Sequence, residues 1–196
     1  MNLRLDGVRV GFAVTGSFCT FAQAFAQAEY LTSLGAELIP IMSEHASTIS
    51  TRFGEADEQR KLFEQICQRK AIVTIEDAEP IGPKNMTDIM AVIPCTSNTA
   101  SKLALSITDT AVTMAVKSHL RGGKPVVLGI ASNDALAGSM KHLGMLANMK
   151  HYYFVPFRQD NAEKKPTSLV ADFSLTAETI VSALEGKQFQ PMVLQI

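Results

Sequence analysis

With 196 residues, 46% of them hydrophobic and 19% charged, the chain has the composition of a globular protein able to bury a substantial core, which excludes a disordered one. A net charge of −1 leaves no electrostatic footprint for nucleic acid, and no apolar run reaches the roughly 18 residues of a membrane span. Cys19, Cys67 and Cys95, odd in number and far apart, read as reduced thiols of a cytoplasmic protein, with neither a disulfide framework nor a metal site.

Residues 1–6 carry no apolar stretch of the signal-peptide kind. Residues 8–14 predict a short apolar strand that ends in Thr15-Gly16-Ser17, and residues 21–31 an Ala-rich helix closing near Gly35. Residues 36–42 predict a second strand. Strand, helix and strand in so short a span make a right-handed βαβ crossover, so the two strands are parallel. A hydroxyl-rich stretch follows, and a helix is expected from Asp57 to about Lys70 with Leu62, Phe63 and Ile66 on its apolar face. Residues 71–75 read as a strand and residues 76–83, with two prolines and a glycine, as a loop. Residues 89–93 form a buried strand that leads into residues 94–109. Beyond that turn Leu103, Ala104, Ile107, Ala111, Met114 and Ala115 recur at helical spacing. Residues 125–130 predict a strand, 134–149 a Met-rich helix, 152–157 a last strand, 158–166 an exposed polar loop, 175–184 a closing helix and 186–196 a tail. Strands and helices alternate without repeat or linker. The expected architecture is one α/β domain over residues 1–196, a doubly wound parallel sheet.

In a parallel sheet the strand ends share one rim. Thr15-Gly16-Ser17, Ser43, Thr96-Ser97-Asn98-Thr99 and Ser132-Asn133 all fall between a strand and a helix on that rim, where open α/β sheets bind ligands. Hydroxyls and backbone N–H groups at helix starts are the parts of an anion site. Any one of these residues could be a plain N-cap, but together they exceed what caps require. The first turn lacks the triple-glycine fingerprint and there is no P-loop lysine. Lys102 reads either as a residue approaching a ligand or a neighbouring protomer or as a snorkelling surface lysine. Asp109, read at the end of its helix, opposes the macrodipole there. Arg52, in a hydroxyl-rich loop, could clamp a carboxylate. Cys95 is either a reactive thiol at the rim or a small buried hydrophobe. His45, His119, His142 and His151 show no metal-ligand spacing. The apolar helix over residues 21–31 is expected to pack against other subunits.

Pro94-Cys95-Thr96-Ser97-Asn98-Thr99, with Lys102-Leu103-Ala104 and Asp109 behind it, resembles the Pro-Ala-Ser-Ala-Asn-Thr motif of the homo-oligomeric flavin-containing cysteine decarboxylases. Thr15-Gly16-Ser17 resembles that family's first-strand turn. Further stretches, among them Thr51-Arg52-Phe53-Gly54, Gly122-Gly123-Lys124-Pro125 and Lys165-Pro166-Thr167-Ser168, are similar to a sporulation branch of the family and span nearly the whole chain. The resemblance implies a flavodoxin-like sheet, an FMN-type pocket at the strand ends near a subunit interface, and homo-oligomers built on trimers, up to a dodecamer. It implies cofactor contacts from Thr15, Gly16, Ser17, Ser43, Thr96, Ser97, Asn98, Thr99 and Ser132. Asn98, Asn133 and Arg52 are the catalytic candidates. It also implies a partner A subunit, a nicotinamide-dependent reductase that handles NADP. The two subunits together would oxidise a small cyclic dihydro dicarboxylate in the mother cell of a sporulating bacterium.

The chain departs from the decarboxylases at two places. Their catalytic histidine has no counterpart in Glu79-Pro80-Ile81-Gly82-Pro83. Their Pro-Met-Asn-x-x-Met-Trp lid is reduced to Ala131-Ser132-Asn133-Asp134-Ala135-Leu136, in a chain without tryptophan. An oxidoreductase subunit is therefore the first expectation. A non-catalytic scaffold with an inherited FMN or phosphate pocket, or an FMN-dependent decarboxylase, are the alternatives.

Overall fold

The computed structural model describes residues 3–195. Met1, Asn2 and the tail's last residue, Ile196, lie outside it. Strand β1 (Arg9–Val14) is buried from Val10 onward. Helix α1 (Phe21–Ser33) follows a short 3-10 turn at Phe18–Thr20. It places Phe21, Ala24, Phe25, Ala28 and Leu31 on one buried stripe. That stripe packs inside the protomer: Phe25 stacks on Phe63 with ring centres 5.1 Å apart, and Phe63 meets Phe12 edge-on at 5.9 Å. The apolar side of residues 21–31 thus serves this chain's own core, not a neighbour. The helix stops where Gly35 takes φ +92 and lets the chain turn into β2 (Glu37–Met42). Two helices, α2 (Glu44–Thr48) and α3 (Ala56–Cys67), follow.

Residues 71–75 do not form a strand. Ile72 alone makes a parallel bridge to Ile41, and Thr74 caps the short helix α4 (Ile75–Ala78). Beyond α4 lies a 3-10 turn, Glu79–Ile81. Strand β3 (Ile89–Cys95) is buried throughout. The helical spacing after it belongs to two helices, α5 (Ser97–Ala104) and α6 (Ala111–Leu120). Between them Ser106 adopts φ +58 and Thr110 closes a capping box with Thr113. Asp109 therefore stands just ahead of a helix N-terminus, where a carboxylate is favourable, the reverse of its expected position. It accepts hydrogen bonds from Lys102 Nζ at 2.8 and 2.9 Å, which accounts for both residues.

Strand β4 (Val126–Ser132) is followed by turns over residues 134–139 and only then by helix α7 (Met140–Asn148). The last predicted strand divides at Val155 and Pro156 into β5 (Tyr152–Phe154) and β6 (Phe157–Asn161). The stretch read as an exposed loop is most of a hairpin, β6 with β7 (Lys165–Ala171). Helix α8 (Thr176–Leu184) closes the fold. The result is a mixed seven-stranded sheet, ordered β2-β1-β3-β4-β7-β6 with β5 also paired to β4. The pairs among β1 to β5 are parallel; β7 is antiparallel to both β4 and β6. The architecture is the expected Rossmann-like α/β fold with an antiparallel hairpin added. On the edge away from β3, strand β4 serves two partners, β5 along its first half and β7 at its end. The Gln188 amide completes β5: it donates to the Phe154 carbonyl at 2.7 Å and accepts the Phe154 N–H at 2.8 Å, doing the work of a neighbouring strand.

Two contacts hold α6 in place. His119 is 2% exposed, with Nδ1 2.7 Å from Thr87 Oγ1 and Nε2 2.9 Å from the Pro125 carbonyl. Gly82 lies directly against the α6 backbone, and its N–H donates to Ser118 Oγ at 2.8 Å. No helix among the described residues is long and apolar enough to cross a membrane.

Candidate functional site

The ends of β1, β3 and β4 open into a cleft of about 1180 Å³, walled on one side by α1 and on the other by the β6–β7 hairpin. Thr15 ties the first two strand ends together. Its N–H and hydroxyl both donate to the Pro94 carbonyl, at 3.2 and 2.8 Å, and its oxygen accepts the Thr96 N–H at 3.0 Å. Proline contributes no donor at residue 94, so this buried threonine fixes the turn. Thr96 caps α5 by accepting the Thr99 N–H, and its carbonyl accepts the Ala100 N–H. The Ser97 and Asn98 N–H groups have no protein partner among the described residues, which leaves them for a ligand.

Hydroxyls continue the arrangement. Ser97 and Ser132 hydrogen-bond to each other. Ser132 donates to Asp134 Oδ1 at 2.6 Å, and Ser139 to Asp134 Oδ2 at 2.9 Å. The hydrogen bond from Ser132, with Ser97 and Ser139 adding to it, holds the Asp134 carboxyl below the usual carboxylate range.

Among the sequence-predicted residues, Gly16, Ser17, Thr96, Ser97, Asn98, Ser132 and Asn133 line the cleft. Thr15 and Thr99 stand behind it as buried supports. Ser43 caps α2, accepting the Ala46 N–H at 3.3 Å. Arg52 lies outside the cleft, exposed in the tight turn around Thr51 and Gly54, with its guanidinium 4.8 Å from the Phe53 ring centre. Cys95 is fully buried, and burial pushes its thiol up to about 12, so it serves as a packing residue. Cys19 is exposed and lines the cleft.

Sequence reasoning missed much of the walls. Gln23 and Gln27 come from α1, Ser101 from α5, and Arg158, Asp160, Lys165 and Ser168 from the hairpin. Two glutamines spaced i, i+4 in a helix otherwise rich in Ala and Phe were the one readable signal. The Gln27 Oε1 atom is buried without a protein partner, so the cleft presents an acceptor that awaits a donor. Lys165 is paired with Asp160, while Arg158 makes no ion pair among the described residues.

The flavoprotein family model matches residues 2–184. The chain belongs to the flavoprotein family. Along its full length this flavoprotein is similar to the dipicolinate synthase B subunit of Bacillus subtilis (strain 168): 44% identity over 191 residues, covering 97% of this chain and 96% of that one. The crystal structure of the dipicolinate synthase B subunit from Bacillus halodurans C superposes with a TM-score of 0.90 at 42% identity, covering 98% of each chain. The structure of the FMN-dependent cysteine decarboxylase SpaF shares the flavoprotein fold with a TM-score of 0.69 at 20% identity, covering 91% of this chain and 98% of that one.

Proposed function

We propose that this flavoprotein is the B subunit of a dipicolinate synthase. With a nicotinamide-dependent A subunit it takes part in oxidising dihydrodipicolinate to dipicolinate during sporulation, in the mother-cell cytoplasm. The observation that carries this reading is the similarity to two B subunits over the whole chain, cleft walls included. The decarboxylase alternative is less well supported. Residues 79–83, where that family's histidine would stand, pack on α6 and contribute nothing to the cleft.

The residues present fit FMN. The cleft has the volume for it, free N–H groups at the start of α5 suit a phosphate, and Gln27 offers an unpaired acceptor. Ser17, Thr96, Ser97 and Ser132 would hold the phosphate, while Asn98 and Asn133 would face the ring or a small dicarboxylate substrate. FMN supplies a two-electron acceptor when bound; NADP belongs to the A subunit. Exposed Leu105, Ile107, Met140, Met145 and Met149 support self-association, as trimers or multiples of them.

Purified A and B subunits are expected to form dipicolinate from the dihydro precursor and NADP at least several-fold faster than A alone. Light scattering of B is expected to give a multiple of three chains. Equal rates with and without B would remove the catalytic role and leave a scaffold.

Asp134 sets a second expectation. Its carboxylate engages the hydroxyls that a phosphate needs and repels a dianion beside it. Asp134→Asn is expected to tighten FMN binding about tenfold, the equivalent of ~1.4 kcal/mol, as read by quenching of flavin fluorescence. Unchanged or weaker binding would place the phosphate elsewhere.

A further inference from the structure

Ser101 lies one turn into α5, half-buried, and lines the cleft. Its hydroxyl is 2.7 Å from Nδ1 of His142, a half-buried residue on α7. A serine inside a helix points its hydroxyl to solvent or back to the carbonyl four residues earlier; this one engages an imidazole on another helix instead. The four histidines of the chain are not alike in this respect. His119 is sealed in the interior with both ring nitrogens satisfied. Of the four histidines, His142 alone is hydrogen-bonded to a side chain that lines the cleft, and among the described residues its Nε2 has no protein partner. The pair therefore runs from the cleft to a half-buried imidazole on α7. A hydroxyl within hydrogen-bond reach of an imidazole is the arrangement that moves protons at neutral pH.

We propose that Ser101 and His142 are the proton-transfer pair of the cleft. The proposal rests on the reading of this chain as one component of a dipicolinate synthase. The dihydro ring must lose two hydrogens to become aromatic. One leaves as hydride, with its bonding pair, to the oxidised nicotinamide of the A subunit. The other leaves as a proton: Ser101 Oγ takes it from a ring carbon as the hydroxyl's own proton passes to His142 Nδ1. The electron pair left behind becomes the new ring double bond. The imidazolium then gives up its Nε2 proton to solvent, and the serine hydroxyl is restored. The sum is dihydrodipicolinate and NADP⁺ going to dipicolinate, NADPH and a proton.

The test uses the complex of the A and B subunits with wild-type B, Ser101→Ala, His142→Gln and His142→Ala. Dipicolinate binding to wild-type B and to each variant is measured by calorimetry, and folding by thermal melts. Wild-type B is expected to bind dipicolinate and accelerate the oxidation. Each variant is expected to keep that affinity and its melting temperature while kcat falls about 100-fold or more. Added imidazole is expected to restore part of kcat in His142→Ala and none in Ser101→Ala. Variants with wild-type kcat would overturn the proposal while leaving the synthase reading intact. So would a loss of kcat that tracks lost binding or melting temperature, or a loss in His142→Ala that imidazole does not repair. If wild-type B neither binds dipicolinate nor accelerates A, the synthase reading fails and this proposal fails with it.

Discussion

Lowering the pH from 7 to 4 is expected to cost the fold about 3 kcal/mol through His119 alone. The Pro125 carbonyl can only accept, so Nε2 carries the ring proton and Nδ1 accepts from the Thr87 hydroxyl. Burial, with a smaller push from Lys124, holds the imidazole down to about 4, against smaller opposing effects of the Pro125 carbonyl and Asp88. An unfolded chain binds a proton at this residue near 6.5, whereas the folded chain resists it. Stability from His119 is thus complete above about 6.5 and is lost as the pH falls towards 4. Asp88, held to about 2 chiefly by its hydrogen bond with Arg9, loses its contribution below this window, so the two effects separate on the pH axis. Urea denaturation across pH 4 to 7 reads the slope, and His119→Asn should flatten it. Should that variant not fold, the His119 ring resonance of the wild type should stay neutral until about pH 4. A His119 resonance that titrates near 6.5 would refute the account.

Gly82→Ala is expected to lower stability by about 3 kcal/mol and the melting temperature by about 10 °C. The backbone angle is not the reason, since Gly82 has φ −73 and any residue can adopt that. Space is the reason. A Cβ there would lie 2.1 Å from the Ser118 carbonyl oxygen and 2.8 Å from its carbon. Both belong to the α6 backbone, which cannot rotate away as a side chain tip would. Separating the two segments would also strain the Gly82 N–H to Ser118 Oγ bond, and with it the 2.5 Å bond from Ser118 Oγ to the Glu79 carbonyl. Gly138→Ala is the control, because nothing lies within 4 Å of its added carbon. Equal melting temperatures for the two variants would show that the close approach is not a constraint.

The floor of the cleft was legible in the sequence because it follows from topology. Once β1, β3 and β4 are parallel, Ser17, Ser97 and Ser132 must meet at one rim, and they do. The walls were not legible. The β6–β7 hairpin is exposed along most of β6, and Gln159 and Asn161 stand where the alternation of a half-buried strand would place apolar residues. Residues 71–75 look like a strand by composition, but only Ile72 finds a partner. One helix was expected where α5 and α6 stand, because Ile107 continues the apolar spacing. The interruption is a Ser106 in the left-handed region and a Thr110–Thr113 capping box, local features that periodicity does not register. Ser43 and Thr15 were correctly placed near the rim, yet side-chain direction sends one to a cap and the other behind the turn.

Among the described residues the hairpin pairs with the rest of the sheet at two positions, Ala131 with Val170 and Ser132 with Leu169. Its other strand faces away, covered at Phe157 by a bridge to Val193 of the tail. Because the parallel strands take their register from one another, this wall can be exchanged as a cassette without resetting it, so long as residue 169 still pairs with Ser132 and the buried Phe157, Leu169 and Ala171 are kept. The floor and the wall can then evolve at different rates, and grafting a relative's hairpin onto this scaffold would change what the cleft admits while keeping what it anchors.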